Sequence, residues 1–537
     1  MCIVKDKRYY SICIVKLLRN LPQLFQKMSQ INHNTLTLPI ACKFVASALS
    51  YPERRAIYVD QTFYTYSDLW KIVLSIYNRI PTNKTYTTIG IYCYNDVATY
   101  ASIIAIGLYG AAYVPLNNKF PVIRNKHITE QCELELILSS EENDMLNELK
   151  GNAKFVFTRS SIPFRDEDAS DNTNCYDAKS YQKVEQEYSC ILFTSGTTGV
   201  PKGVPLSHKN LNTFFDFQLK NYDFNKEDRF LQVYELTFDV SIFSFLMPLL
   251  VGGCCYVVPD KGIKFSTIVQ MLKEHKITIV SMVPALLNYL INYLPEIHLP
   301  DLRFSIFSGD ALYHDMAVLW SKCTPNGVIE NFYGPTETTI VCFRHPFEEQ
   351  KSAVESVNGI VPIGKPFDGI EFKIVNEEGN KTDNGELCLR GTQVISHYLH
   401  HANPDKFILL DNKVWYKTGD VVTMNSNGNL CFLGRTDSQV KISGFRIELS
   451  EIEFALASIT SKRTVVLCLT DQNKINSLHA FIETTEVYEN EIKEQLATLL
   501  PYYMIPVEII PVGTFPLNVN GKVDRNKLLL LSQKQKC

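Results

Sequence analysis

From residue 36 to about residue 435, short apolar runs alternate with segments whose apolar residues recur every three or four positions. The runs TTIGIYC (87–93), SCILFTS (189–195), ITIVSMV (277–283), FSIFSG (304–309) and EFKIVN (371–376) read as strands. ATYASIIAIGLYG (98–110) and STIVQMLKEH (266–275) carry the helical period. Such alternation predicts α/β layers with largely parallel sheets. Over 359–433 the strands shorten and Gly/Asn turns multiply, which predicts a small antiparallel barrel or sandwich. After about residue 436, ELSEIEFALAS and ENEIKEQLATLLP read as helices and TVVLCL and LHAFIET as strands, an α+β unit. The expected division is a basic, non-catalytic extension over 1–27 with Met28 as an alternative start, a core over 28–435, and a C-terminal lid over 436–537.

The uncharged run VSIFSFLMPLLVGGCCYVV (240–258) nearly reaches the ~20 residues that cross a bilayer. Pro248 and Gly252–Gly253 break this run in the middle, so the reading is a buried helix, a glycine turn and a buried strand in place of a span. No membrane span is expected. The 537 residues suggest two to four folding units, and a 45% hydrophobic, 20% charged composition excludes disorder. With 53 basic and 57 acidic residues the net charge is -4, so no positive field draws nucleic acid. The 15 cysteines form no C-x-x-C pair, which argues against a structural zinc site. The first residues hold no continuous apolar segment of secretory type, and the expected location is the cytoplasm.

The most informative segment is ILFTSGTTGVPKG (191–203). A β-type run ends in glycines 196, 199 and 203, interleaved with the hydroxyls of Thr194, Ser195, Thr197 and Thr198 and followed by Lys202. Glycines let backbone N–H groups converge, and hydroxyls and an ammonium add donors, a set suited to a polyphosphate. The spacing is not that of a Walker loop, because Lys202 follows Pro201.

This loop, ending in P-K-G, resembles the signature of adenylate-forming enzymes: acyl-CoA synthetases, luciferases and amino-acid adenylation domains. The resemblance extends from about residue 36 to 530 through Tyr64–Leu69 (YTYSDL), Gly110–Pro115 (GAAYVP), Asn331–Thr338 (NFYGPTET), Tyr416–Asp420 (YKTGD), Gly434–Asp437 (GRTD) and Asn520–Lys522 (NGK). It implies an α/β fold: a large N-terminal domain of two layered α/β subdomains plus a small β-barrel, with a small mobile α+β C-terminal domain. The implied reaction joins a carboxylate to the AMP moiety of ATP, releasing pyrophosphate, with Mg²⁺ as the metal. By the same resemblance Thr194, Ser195, Gly196, Thr197, Thr198, Gly199 and Lys202 would cradle phosphates, and Glu337 would hold Mg²⁺. Tyr333 would stack on adenine and Asn331 would meet its edge, with Thr336 nearby, while Asp420 and Arg435 would hold the ribose. Lys522 would bridge the substrate carboxylate and the α-phosphate, and Asp437 would be the hinge for C-terminal movement between adenylation and thioester formation.

Phe238-Asp239-Val240-Ser241 narrows the acid. An aspartate here resembles amino-acid adenylation domains of peptide synthetases and D-alanine–carrier-protein ligases, in which it pairs with the α-ammonium. The alternative is an N-terminal aspartate favoured by the helix dipole. The resemblance carries Val240, Phe243, Ser281, Ile306, Ser308, Phe332, Ile340 and Val341 into the side-chain pocket. None is charged, so a small or medium neutral amino acid is expected, alanine or serine among the candidates. Fifteen residues follow Lys522, so the acceptor is expected to be the phosphopantetheine of a separate carrier protein. An acyl- or aryl-CoA ligase and a non-catalytic binding protein are the competing readings. Asn117, Asp310 and Ser443 depart from the family pattern, and His400-His-x-x-x-Asp405 mimics a condensation motif inside an adenylation landmark.

Overall fold

Two mostly parallel sheets arise where strand-like runs alternate with helical ones. The computed structural model describes residues 39–149, 151, 153–159, 187–196, 199–260, 262–402, 404–471, 474–517 and 523–534. The expected extension over 1–27, Met28, Thr197, Thr198 and the NGK landmark with Lys522 lie outside the described residues. In a nine-stranded sheet, Val328–Tyr333, Phe304–Phe307, Ile279–Met282, Arg229–Gln232, Cys254–Val257 and Arg55–Val59 run parallel in that spatial order, with antiparallel strands at both edges. Ser281 lies beside Ile306, and Phe307 beside Asn331, so residues distant in sequence end side by side at the carboxyl edge.

A six-stranded sheet places Thr88–Cys93 between Leu136–Ser139 and Ala112–Asn117, and ends in the antiparallel pair Tyr188–Thr194 and Lys202–Ser207. That last pair sets Thr194 opposite Lys202 across the ladder, so the glycine-rich loop is a hairpin connection with both ends fixed. The helix Val97–Tyr109 is buried along almost its whole length. The Asp96 side chain caps its start by accepting from the Thr99 N–H at 2.8 Å, and left-handed Gly110 ends it.

The helix Val240–Val251 is apolar on nearly every face because protein covers nearly every face. It is the expected buried helix, and Pro248 lies inside it. The proline sits in the last turn, where its missing N–H leaves the Ser244 carbonyl without its usual partner, and the Cys255 thiol contacts that oxygen at 3.9 Å. Gly252 then turns the chain at φ 78° into the strand Cys254–Val257. Among the described residues no helix is long and apolar enough to cross a membrane.

Over 370–435 five strands form an antiparallel sheet centred on Lys413–Met424. Next comes the hairpin Gln439–Ile442 and Phe445–Glu448, turned by Ser443 (φ 50°) and Gly444 (φ 84°), the positive-φ pair that matches hairpin twist. The helix Leu449–Thr460 and the helix Glu489–Ala497 pack with a three-stranded sheet around Ile452, Leu456, Val466, Leu478 and Leu496.

Candidate active site

The glycine-rich loop meets the 439–451 segment. The Ser195 hydroxyl donates to the Arg446 carbonyl at 2.9 Å and accepts from the Glu448 N–H at 3.2 Å. The Gly196 N–H donates to Glu451 Oε2 at 3.1 Å, and Arg124 pairs with the other oxygen of Glu451 at 2.7 Å. Lys202 Nζ lies 3.2 Å from Glu448 Oε1, and both side chains are buried. Burial and the nearby Arg446 push the Lys202 amine below its ordinary value, while Glu448 and Glu337 oppose that shift. Gly196 is required sterically: a Cβ there would come 1.9 Å from the Val200 carbonyl oxygen. The Thr194 hydroxyl is buried with no hydrogen-bond partner. Two carboxylates thus occupy the donors that the sequence assigns to phosphates.

Glu337 lies in the single turn Thr336–Thr338 and is fully buried. Arg446 Nη1 pairs with its Oε2 at 2.7 Å, and the Tyr398 hydroxyl donates to its Oε1 at 2.6 Å. Burial alone would raise its pKa, but Arg446, Tyr398 and Lys202 outweigh burial and hold it at about 2. Tyr333 donates its hydroxyl to Asp420 Oδ2 at 2.5 Å, and the Arg435 guanidinium pairs with the other oxygen. Arg435 also pairs with Asp437 at 2.8 Å, and Lys406 reaches Asp437 at 3.2 Å, so the expected hinge residue is held by two cations. Asn331 spends its amide donors on the carbonyls of Val361 and Pro362, at 3.2 and 2.9 Å. The Lys441 ammonium stands 5.6 Å from the centre of the Tyr333 ring.

Asp239 begins the helix Val240–Val251 but does not cap it: its side chain makes no capping bond. It is 9% exposed, and among the described residues it has no ion-pair partner. Burial lifts its pKa to about 6, against the Thr336 hydroxyl and the Val240 N–H. All eight expected pocket residues, Val240, Phe243, Ser281, Ile306, Ser308, Phe332, Ile340 and Val341, line one cavity together with Phe214. Its volume is about 10 Å³, room for about one water. A larger cleft of about 330 Å³ lies beside it, lined by Asn117, Lys119, Tyr234, Thr237, Asp260 and the C-terminal Tyr502.

Sequence reasoning missed Phe214, Tyr398, Arg446, Glu448 and Glu451. The last three sit in GFRIELSEIE, where alternating charge reads as the solvated face of a strand and helix. Their buried ion pairs, with Glu337, Lys202 and Arg124, arise only from contacts 109, 246 and 327 residues apart in sequence. The departures are accommodated: Asn117 donates to Glu235 Oε2 at 2.6 Å, and Ser443 takes the positive-φ turn position. His400 contacts the Gln131 carbonyl at 2.7 Å in an irregular loop.

The AMP-binding enzyme family matches residues 44–399. Zwittermicin A synthase ZmaJ of Bacillus cereus is 32% identical over 83% of this chain and 85% of its own length. The D-alanine–D-alanyl carrier protein ligase of Lactococcus lactis is 32% identical over 87% of this chain and 93% of its own. The Vibrio cholerae adenylation domain AlmE, solved with glycyl-adenosine-5'-phosphate, superposes with a TM-score of 0.78 and 26% identity, over 94% of this chain and 99% of that one. The chain belongs to the AMP-binding enzyme family and is an AMP-forming ligase.

Proposed function

We propose that the protein activates a small or medium neutral amino acid as its aminoacyl-AMP and passes the aminoacyl group to the phosphopantetheine thiol of a separate carrier protein. The observation that carries this reading is Asp239, a buried carboxylate with no cation of its own among the described residues, beside a cavity lined by uncharged side chains. An isolated buried charge is costly, and a substrate α-ammonium supplies the missing partner. The AlmE complex and the D-alanyl carrier protein ligase support the same class of substrate.

In adenylation, a carboxylate oxygen of the amino acid attacks the α-phosphorus of ATP, and pyrophosphate leaves with the bonding pair. The protein's task is to position two anions and neutralise their charge. Thr194, Ser195, the Gly196 N–H and Lys202 suit the β- and γ-phosphates, with Thr197, Thr198 and Gly199 completing the loop. Asp420 and Arg435 suit the ribose, and Tyr333 the adenine. Glu337 fits Mg²⁺ as an anionic oxygen donor, and the Arg446 guanidinium already stands in a cation's place against it. Bound there with phosphate oxygens, the metal would neutralise charge on the leaving group.

The arrangement described here has Glu448 and Glu451 on the phosphate donors, so it excludes a bound polyphosphate by charge and by space. We assign it to the thioester half-reaction, after pyrophosphate has left. Adenylation then requires this segment to withdraw, turning at Asp437, and Lys522 to take its place. The polar cleft beside the cavity suits a long thiol arm. The eleven described cysteines are free thiols, which suits a reducing cytoplasm.

Mass spectrometry of a single turnover with ATP, Mg²⁺ and neutral amino acids, without acceptor, tests this reading. Aminoacyl-AMP is expected from the parent protein, and its absence with Lys522→Ala while ATP binding persists. Undiminished adenylate from Lys522→Ala would refute the role of Lys522.

A further inference from the structure

The acyl cavity is apolar except on one side. Ser281, in the strand Ile279–Met282, and Ser308, just past Phe304–Phe307, are both 2% exposed and both line it. Neither hydroxyl closes a hydrogen bond of good geometry. The Tyr234 hydroxyl, buried and likewise without such a bond, faces both serines, and it is the two serines that partly offset the rise its burial causes. Neighbouring buried serines behave differently. Ser241 donates to the Phe238 carbonyl at 2.6 Å, Ser244 to the Val240 carbonyl at 3.2 Å, and Ser305 accepts from the Trp320 indole at 2.9 Å. Buried hydroxyls normally find partners, so the two serines left open on the wall of one cavity need an occupant that can hydrogen-bond.

The cavity has space for about one water, and the two serine hydroxyls supply the minimum of two partners a buried water needs. A substrate side chain that ends in a hydroxyl can replace that water and reproduce its hydrogen bonds; one ending in a methyl cannot. A charged terminus would meet no counter-charge among the lining residues. We infer that Ser281 and Ser308, positioned by Tyr234, select a short hydroxylated side chain of the serine type over alanine and its homologues. This inference rests on the amino-acid reading of the site.

Pyrophosphate exchange tests it with serine and 2-aminobutyrate, which differ by a hydroxyl in place of a methyl at nearly equal size, and with alanine and amine-free acids alongside, both configurations being included for the chiral compounds. A site built to bond a hydroxyl rejects the analogue lacking it far more strongly than a greasy pocket sorts methylenes. The kcat/KM for serine is expected to exceed that for 2-aminobutyrate by at least about a hundredfold. In Ser281→Ala, Ser308→Ala and Tyr234→Phe that ratio should fall by about tenfold or more; because it is internal to each variant, partial loss of folded protein does not disturb it. Alanine or 2-aminobutyrate equal to or better than serine overturns this inference and leaves the amino-acid reading standing. Exchange with amine-free acids alone overturns both.

Discussion

Asp239 shows how much one side chain can decide. Its sequence context allowed either a helix cap or an ammonium partner, and the structure removes the cap by turning the carboxylate into a buried position with no capping bond. Asp239→Asn should lower kcat/KM for the amino acid by roughly a hundredfold or more, in line with the 2–5 kcal/mol lost when one partner of a buried charge pair is removed. ATP binding should be little changed. Its pKa of about 6 adds a pH signature. On the proposed role the ionised form is the one that binds the ammonium, so kcat/KM should fall as pH drops through about 6 in the parent protein, and Asp239→Asn should lack that limb. Glu337 behaves oppositely: held at about 2, it stays ionised throughout that range and contributes no such limb. The pocket side chains were legible because a resemblance carries position by position. Tyr234, which faces Ser281 and Ser308, was not, since in sequence it looks like any core residue.

At the scale of elements, the strands and helices followed the apolar period closely, because each buries one face or is wholly covered. Pro248 is tolerated inside the expected buried helix because a proline in a final turn forfeits a hydrogen bond that a neighbouring thiol contact can partly replace. The hairpin Gln439–Ile442 and Phe445–Glu448 was readable as strands, but its docking on the glycine-rich loop was not. Its turn is where the fit is closest: a Cβ on Gly444 would lie 2.3 Å from Val283 Cγ1, at a φ of 84°. Gly444→Ala should therefore obstruct the docked arrangement. Aminoacyl transfer to an acceptor thiol is expected to drop by tenfold or more, while pyrophosphate exchange changes by less than about threefold. Equal losses in both half-reactions would show that Gly444 serves folding and not docking.

On the scale of the whole molecule, the proposed cycle has one surface serve two anions in turn. Glu448 and Glu451 hold Lys202 and the Gly196 N–H, the groups proposed for polyphosphate, so on that proposal the docked segment and bound pyrophosphate exclude one another. With a fluorophore pair across the two units, Mg²⁺-pyrophosphate should lower the docked population, and Glu451→Gln should lower it without pyrophosphate. A docked population indifferent to both would separate the glutamates from the phosphate site. The central claim is that this ligase acts on neutral amino acids, and the most direct measurement is pyrophosphate exchange into ATP across a panel of proteinogenic amino acids, D-alanine, short fatty acids and benzoates. Exchange dependent on one or a few small neutral amino acids, and weakened selectively by Asp239→Asn, is the predicted result. Exchange driven only by acids that lack an amine would contradict it.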